Sequence, residues 1–346
     1  LSKIFRNLAA LKKDENHQPM IQKNFFLFFI LLLAGSCGEN QSSGKAEHKL
    51  KIAVIPKGTT HVFWRSIHAG AVKAARELDV KVDWQGPQKE SDRQQQVSIV
   101  QNFISRKMDA IALAPLDSRS LVKVVKDAGK QGIPVIILDS GLDSDDYVSF
   151  VATDNYKGGK LCARRLTEVL GESKKVILLR YMEGSASTSN REKGFLDGLK
   201  EYAPEADLIS SNQYAGATLE KGFQAAQSLL NRFGDVDGIF CPNETSTQAM
   251  LRALQTSGRT GKVKLVGFDS NTSLIEGLKN GQIAGLAIQD PFKMGYLAVK
   301  TAVQYIQKGT VDQRIDTGVF MATHENMEEE QMRLLLHPPV EKWLDD

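Results

Sequence analysis

The sequence predicts an α/β protein of two similar lobes, each a doubly wound parallel sheet, with a ligand cleft between them. Three observations carry this expectation. Short apolar runs rich in β-branched residues alternate with stretches of helical spacing, the alternation restarts near the middle of the chain, and polar residues gather at the ends of the apolar runs. Strand and helix taking turns implies a parallel sheet covered on both faces.

The first run, KIAVIP from Lys51, reads as a strand. Phe63, Ile67, Ala71, Ala75 and Leu78 follow at steps of three or four, which places them on one helix face. AIALAPL from Ala110 and PVIILDS from Pro134 are further strands of this series. After VSFVATDNYKGGK, Val148 to Lys160, the pattern begins again with KKVILLRY, GIFCPN, KLVGFDS and AGLAIQD. The strands end in Lys57, Asp117, Asp139 with Ser140, Asn243, Asp269 and Gln289. Open parallel sheets bind ligands in the crevice outside the carboxyl ends of their strands. Two such ends facing each other make a cleft that hinge motion closes on a small molecule.

A leader precedes the first strand. Phe25 to Leu33 is an unbroken apolar run after Lys23, followed by Ala34, Gly35, Ser36 and Cys37. A charged start, a short apolar core and small residues form an export signal, and the run falls well short of the roughly 18 to 20 residues of a spanning helix. The small residues ending in Cys resemble the lipobox of bacterial lipoproteins, although Ala34 stands where those patterns prefer Leu, Val or Ile. The resemblance implies diacylation of Cys37, which becomes the mature N-terminus and is held at a bacterial membrane. GENQSSGKAEHK then reads as a polar tether. Met20 opens a compact leader, so residues 1–19 are expected to be upstream sequence from a wrongly chosen start, 20–36 the signal and 37–49 the tether.

Of 44 Lys+Arg and 41 Asp+Glu, five and two precede Cys37, which leaves 39 of each in the mature chain. A balanced charge argues against a nucleic-acid partner, which requires a basic surplus on one face. With Cys37 assigned to lipid, Cys162 and Cys241 are too few for a disulfide framework. The six His contain no HExxH pair, and no metal or cofactor is expected. DTG at Asp316 to Gly318 is a lone triplet where an aspartic protease needs two carboxylates sharing a proton. GSASTS carries no Lys at Walker spacing, and no general acid/base pair stands apart, so an enzyme is not expected.

HVFW at His61, VATDNYKGG at the crossover, NREKGF, CPNET, VGFDS, AIQDPFKMG and the late DTGVFMATHENM together resemble the periplasmic sugar-binding proteins of the ribose-binding type. These are solute receptors of ABC importers, sharing their fold with the effector domains of lactose-repressor-type regulators. The resemblance runs from about Lys49 to about Met327. It implies the periplasmic-binding-protein type I fold, with a multi-strand hinge between the lobes. One lobe is expected over residues 50–153 plus about 291–316, the other over 154–290 plus about 317–346. It further implies a monomer outside the cytoplasm that closes on a monosaccharide and delivers it to membrane permease subunits.

Carried over by position, Phe63 and Trp64 match paired aromatics that sandwich a sugar ring, and Asp139 a carboxylate accepting two hydroxyl protons. Arg191 matches a guanidinium fork, and Asn243, Asp269 and Gln289 complete the polar ring. Further candidates are Lys57, His61, Asp117 and Ser140. His61, Ala114 and Ser140 depart from the ribose receptor's residues, and Ala217 replaces a third aromatic. These departures imply a roomier pocket for a hexose, deoxyhexose or cyclitol. Lys57 with Asp139, and WQGP at Trp84, also resemble receptors for the furanosyl signal autoinducer-2. The alternative expectation is therefore a signal receptor coupled to a transporter or a membrane kinase.

Overall fold

The computed structural model describes residues 49–171 and 174–344. The expected leader, Cys37 and nearly all of the tether lie outside the described residues. The first lobe begins with β1 (Lys51–Ile55), α1 (Val62–Glu77), β2 (Lys81–Trp84), α2 (Arg93–Ser105) and β3 (Ala110–Leu113). It continues through α3 (Val122–Lys130), β4 (Val135–Leu138) and β5 (Ser149–Ala152). The chain then enters the second lobe with α4 (Asn155–Leu170), β6 (Lys175–Arg180), α5 (Ala186–Tyr202), β7 (Asp207–Tyr214) and α6 (Leu219–Arg232). β8 (Gly238–Phe240), α7 (Glu244–Thr256), β9 (Lys264–Phe268), α8 (Thr272–Lys279) and β10 (Gly285–Ile288) follow. It returns to the first lobe for α9 (Pro291–Lys308) and β11 (Arg314–Asp316), then crosses again to β12 (Phe320–Ala322) and α10 (Glu330–Leu336).

The two sheets have the same plan, β11-β5-β4-β3-β1-β2 and β12-β10-β9-β8-β6-β7. Every pairing in the first is parallel. In the second, β12 alone runs antiparallel, against β10. The central strands are buried on both faces, which is why they read as unbroken apolar runs. Alternate residues serve opposite cores: Ile52 and Val54 pack with the α1 and α9 side, Ala53 and Ile55 with the α2 and α3 side.

Each lobe seats its innermost helix pair with glycine. A Cβ on Gly70 of α1 would stand 1.9 Å from the Phe292 carbonyl oxygen of α9, and one on Gly159 of α4 would stand 2.0 Å from the Arg191 oxygen of α5. Backbones approach that closely only without a side chain between them. The contact in the second lobe places Arg191.

Three links join the lobes: Thr153 and Asp154, Gln289 and Asp290, and Thr317 to Val319. They are tied together, as Thr153 Oγ1 donates to the Gly318 carbonyl and the Asp154 amide to Asp316 Oδ1. The C-terminal segment departs from its expected place in the second lobe. Met332 and Leu336 of α10 do join that core, but α11 (Glu341–Leu344) lies on α1 of the first. Arg65 pairs with Glu341 at 2.9 Å, and the Arg76 guanidinium stands over the Trp343 ring. Pro338 and Pro339 end the α10 helix, and the redirected chain finds an aromatic and ionic seat on the other lobe. No helix among the described residues is long and apolar enough to cross a membrane.

Candidate functional site

The carboxyl ends of both sheets face one half-open cleft of ≈ 40 Å³ between the lobes. Asp139 follows β4 and Asp269 follows β9, and both adopt left-handed backbone, φ 60° and 68°. Each amide donates to the adjoining strand, Asp139 to the Val151 carbonyl and Asp269 to that of Ala287. The strand thus ends in a sharp turn that aims a carboxylate at the crevice. Such a backbone costs about 1–3 kcal/mol, and aspartate tolerates it better than most residues.

On the first-lobe wall, Lys57 Nζ lies 3.0 Å from Asp139 Oδ2 and donates to Ser187 Oγ of the second lobe at 2.9 Å. Trp64 Nε1 donates to Glu90 Oε1 at 2.6 Å, while the Tyr181 hydroxyl of the second lobe donates to Glu90 Oε2 at 2.8 Å. His61 stands between two carboxylates, 3.9 Å from Glu90 and 3.5 Å from Glu244 across the cleft.

On the second-lobe wall, Arg191 Nε donates to Asn155 Oδ1 at 2.7 Å and Nη1 to the Pro242 carbonyl at 3.0 Å. Its guanidinium lies 3.8 Å over the Phe268 ring and 3.5 Å from Asp269 Oδ2. Gln289 Nε2 donates to Asp269 Oδ1 at 2.6 Å. Asn243 caps α7, its Oδ1 accepting from the Ser246 amide. Among the described residues, three buried side-chain polar atoms have no protein hydrogen-bond partner, namely Glu244 Oε2, Thr245 Oγ1 and Gln289 Oε1. All three residues line the cleft.

This crowding of charge moves proton affinities. Burial opposes a charge on His61, but its hydrogen bond to Glu244 and the nearby Glu90 and Asp269 outweigh that and push its pKa up to about 9. Burial raises Asp269 to about 6, with Arg191 and Gln289 holding it from going higher. The Cys162 and Cys241 thiols are pushed far up by burial and are unreactive. Among the described residues no set of three His, Cys, Asp or Glu is placed to hold a metal.

The cleft brings together Phe63, Trp64, Asp139, Arg191, Asn243, Asp269 and Gln289, with Lys57 and His61. Asp117 lies outside the lining: it accepts from the Arg119 and Ser120 amides and pairs with Arg93. Ser140 also stands back, accepting from the Ser187 amide across the lobes at 3.1 Å. Phe63 and Trp64 meet edge to face at 89°, so in this arrangement the pair presents no parallel faces to a ring. Ala114 and Ala217 are absent from the lining, which Glu90 and Tyr181 help to form. Glu90, Tyr181, Glu244, Thr245, Ser185, Ser187 and Thr188 were not foreseen. The one available signal was adjacency, since Glu244 and Thr245 directly follow Asn243 in CPNET.

The model of the periplasmic binding protein domain matches residues 52–310. The Ribose import binding protein RbsB of Escherichia coli K12 is 31% identical over 264 residues, covering 75% of this chain and 86% of that protein. A carbohydrate transporter solute binding protein from Agrobacterium radiobacter, solved with D-arabinose, superposes with a TM-score of 0.82 at 33% identity, covering 84% of this chain and all (100%) of that one. An ABC transporter solute binding protein from Agrobacterium vitis with bound D-fucose gives 0.79 at 34%, covering 83% and 100%.

Proposed function

The chain belongs to the periplasmic binding protein family, and from that premise we propose that it is the sugar-binding subunit of an ABC importer. It binds a monosaccharide, closes over it and presents the closed form to permease subunits. The observation that supports this best is the convergence of strand-end polar groups from both lobes, Asp139 and Lys57 opposite Arg191, Asp269 and Gln289, on one cleft. Carboxylates, an amide and a guanidinium fork together can satisfy hydroxyls that both donate and accept. A sugar with one hydroxyl misplaced leaves buried groups unpaired, which is the basis of discrimination. Closure couples recognition to delivery because only closed lobes hold both docking faces in register.

The protein works as a monomer outside the cytoplasm, anchored through lipid on Cys37. A titration of the purified chain against pentoses, hexoses, deoxyhexoses and cyclitols tests the binding role, and silence across that panel would overturn it. Metabolic labelling with an alkyne fatty acid tests the anchor, with Cys37→Ala expected to lose the label. A second reading, a receptor for a furanosyl signal, is favoured by Lys57 Nζ standing on Asp139 in the cleft. Binding of such a signal with no response to any pyranose would select it.

A further inference from the structure

The unpartnered atoms of the cleft are all acceptors or able to accept. Glu244 Oε2 is a carboxylate oxygen, and Thr245 Oγ1 can turn its proton away. Gln289 Oε1 is fixed as the amide oxygen because the amide nitrogen must face Asp269, which only accepts. Each of these residues is more than nine-tenths buried, Glu244 at 8%, Thr245 at 4% and Gln289 at 1% exposed. A buried acceptor left without a donor is costly, so each of the three calls for one from a bound ligand.

Charge points the same way. Glu90, Asp139, Glu244 and Asp269 face the cleft against Lys57, His61 and Arg191, so carboxylates outnumber cations by one. The partners of the three cations are accounted for. Lys57 sits on Asp139, Arg191 on Asp269, and His61 between Glu90 and Glu244 Oε1. Glu244 also accepts from Asn271 on Oε1, so its hydrogen-bond donors all lie on that oxygen and Oε2 has none.

We propose that the cleft is built for a polyol bearing a protonated amine, an amino sugar, with the ammonium held by Glu244, Thr245 and Gln289. An ammonium has three donors and no acceptor, which matches three orphaned acceptors and restores charge balance. Three hydroxyls of a neutral sugar could meet the three acceptors one each, but they would leave the charge excess in place. The inference rests on the reading of the cleft as a sugar site and narrows its ligand.

The test is calorimetric titration of the intact chain with D-glucose, D-galactose, D-mannose and D-allose, each beside its 2-, 3- and 6-amino derivatives and their N-acetyl forms. At least one free amine is expected to bind tenfold or more tightly than its neutral parent. That preference should vanish on N-acetylation and in Glu244→Gln. If parents bind and every amine binds no tighter, the inference is overturned while the sugar reading stands. If no parent, amine or N-acetyl form binds, the inference is overturned, and the sugar reading is decided separately by the wider panel of pentoses, deoxyhexoses and cyclitols. Should Glu244→Gln fail to fold, the comparison of parent, amine and N-acetyl form on the unaltered chain decides alone.

Discussion

Tyr181 of the second lobe donates its hydroxyl to Glu90 of the first at 2.8 Å, and the other Glu90 oxygen is held by Trp64 Nε1 at 2.6 Å. The carboxylate is therefore fully engaged only when the lobes are together. Its bond to Tyr181 joins the Lys57 to Ser187 and Ser187 to Ser140 bonds in tying one lobe to the other. Closure is written into the lining of the cleft itself.

Tyr181→Phe removes that bond and leaves a carboxylate oxygen of Glu90 unpaired in the closed form. A hydrogen bond to a charged group contributes about 1.5–3 kcal/mol. Because ligand binds the closed form, apparent affinity should fall about tenfold or more. Calorimetry checks this, and equal affinities would mean that the bond plays no part in closure.

Asp269→Ala should weaken sugar binding by about ten- to hundredfold, from the same range of about 1.5–3 kcal/mol. The change also strips Arg191 and Gln289 of a partner. Titration of variant and parent with one sugar is the measurement, and an unchanged affinity would remove Asp269 from the site.

These predictions draw unequally on the sequence. Asp139, Asp269 and Gln289 were legible because each directly follows a buried strand, and Asn243 because it ends the short turn after β8; position after a strand fixes position in the cleft. Glu90 and Tyr181 were not. Glu90 lies in the loop between β2 and α2, Tyr181 follows a strand end already noted for its run, and what defines both is a contact across the closed cleft. Asp117 misled for the converse reason, since it occupies a strand-end position but its carboxylate turns back to its own loop and Arg93. At the level of fold, the central strands announced themselves by continuous apolar runs. β2 and β7 did not, being half-exposed and partly polar edge strands such as KVDW and DLISSNQY. The docking of α11 on α1 depends on side-chain pairing between distant segments, which no local pattern encodes.

Gly159→Ala should destabilise the second lobe and disturb binding together. The new Cβ would stand 2.0 Å from the Arg191 carbonyl oxygen, a backbone atom that cannot swing aside. Overpacking of this kind costs about 1–3 kcal/mol, and the forced shift moves the helix that carries Arg191. A lower thermal midpoint with weakened sugar affinity is expected, whereas a fall in stability with affinity intact would separate α4–α5 packing from the site.

His61 gives a pH dependence with a defined sign. Its pKa is about 9 in the folded chain against 6.5 for the free side chain. Folding therefore favours the protonated form, and the stabilisation is fully present below 6.5 and lost as pH rises through about 9. The shift corresponds to roughly 3 kcal/mol at most, at about 1.4 kcal/mol per unit. Asp269, raised from 3.8 to about 6, acts at lower pH: its contribution is fully present below 3.8 and is lost as pH rises through about 6. The two windows are far enough apart to be read separately. Denaturant unfolding of the parent and of His61→Gln between pH 6 and 10 should show the parent's advantage shrinking across that upper window. Parallel curves would show that the imidazolium between Glu90 and Glu244 contributes nothing to the closed fold.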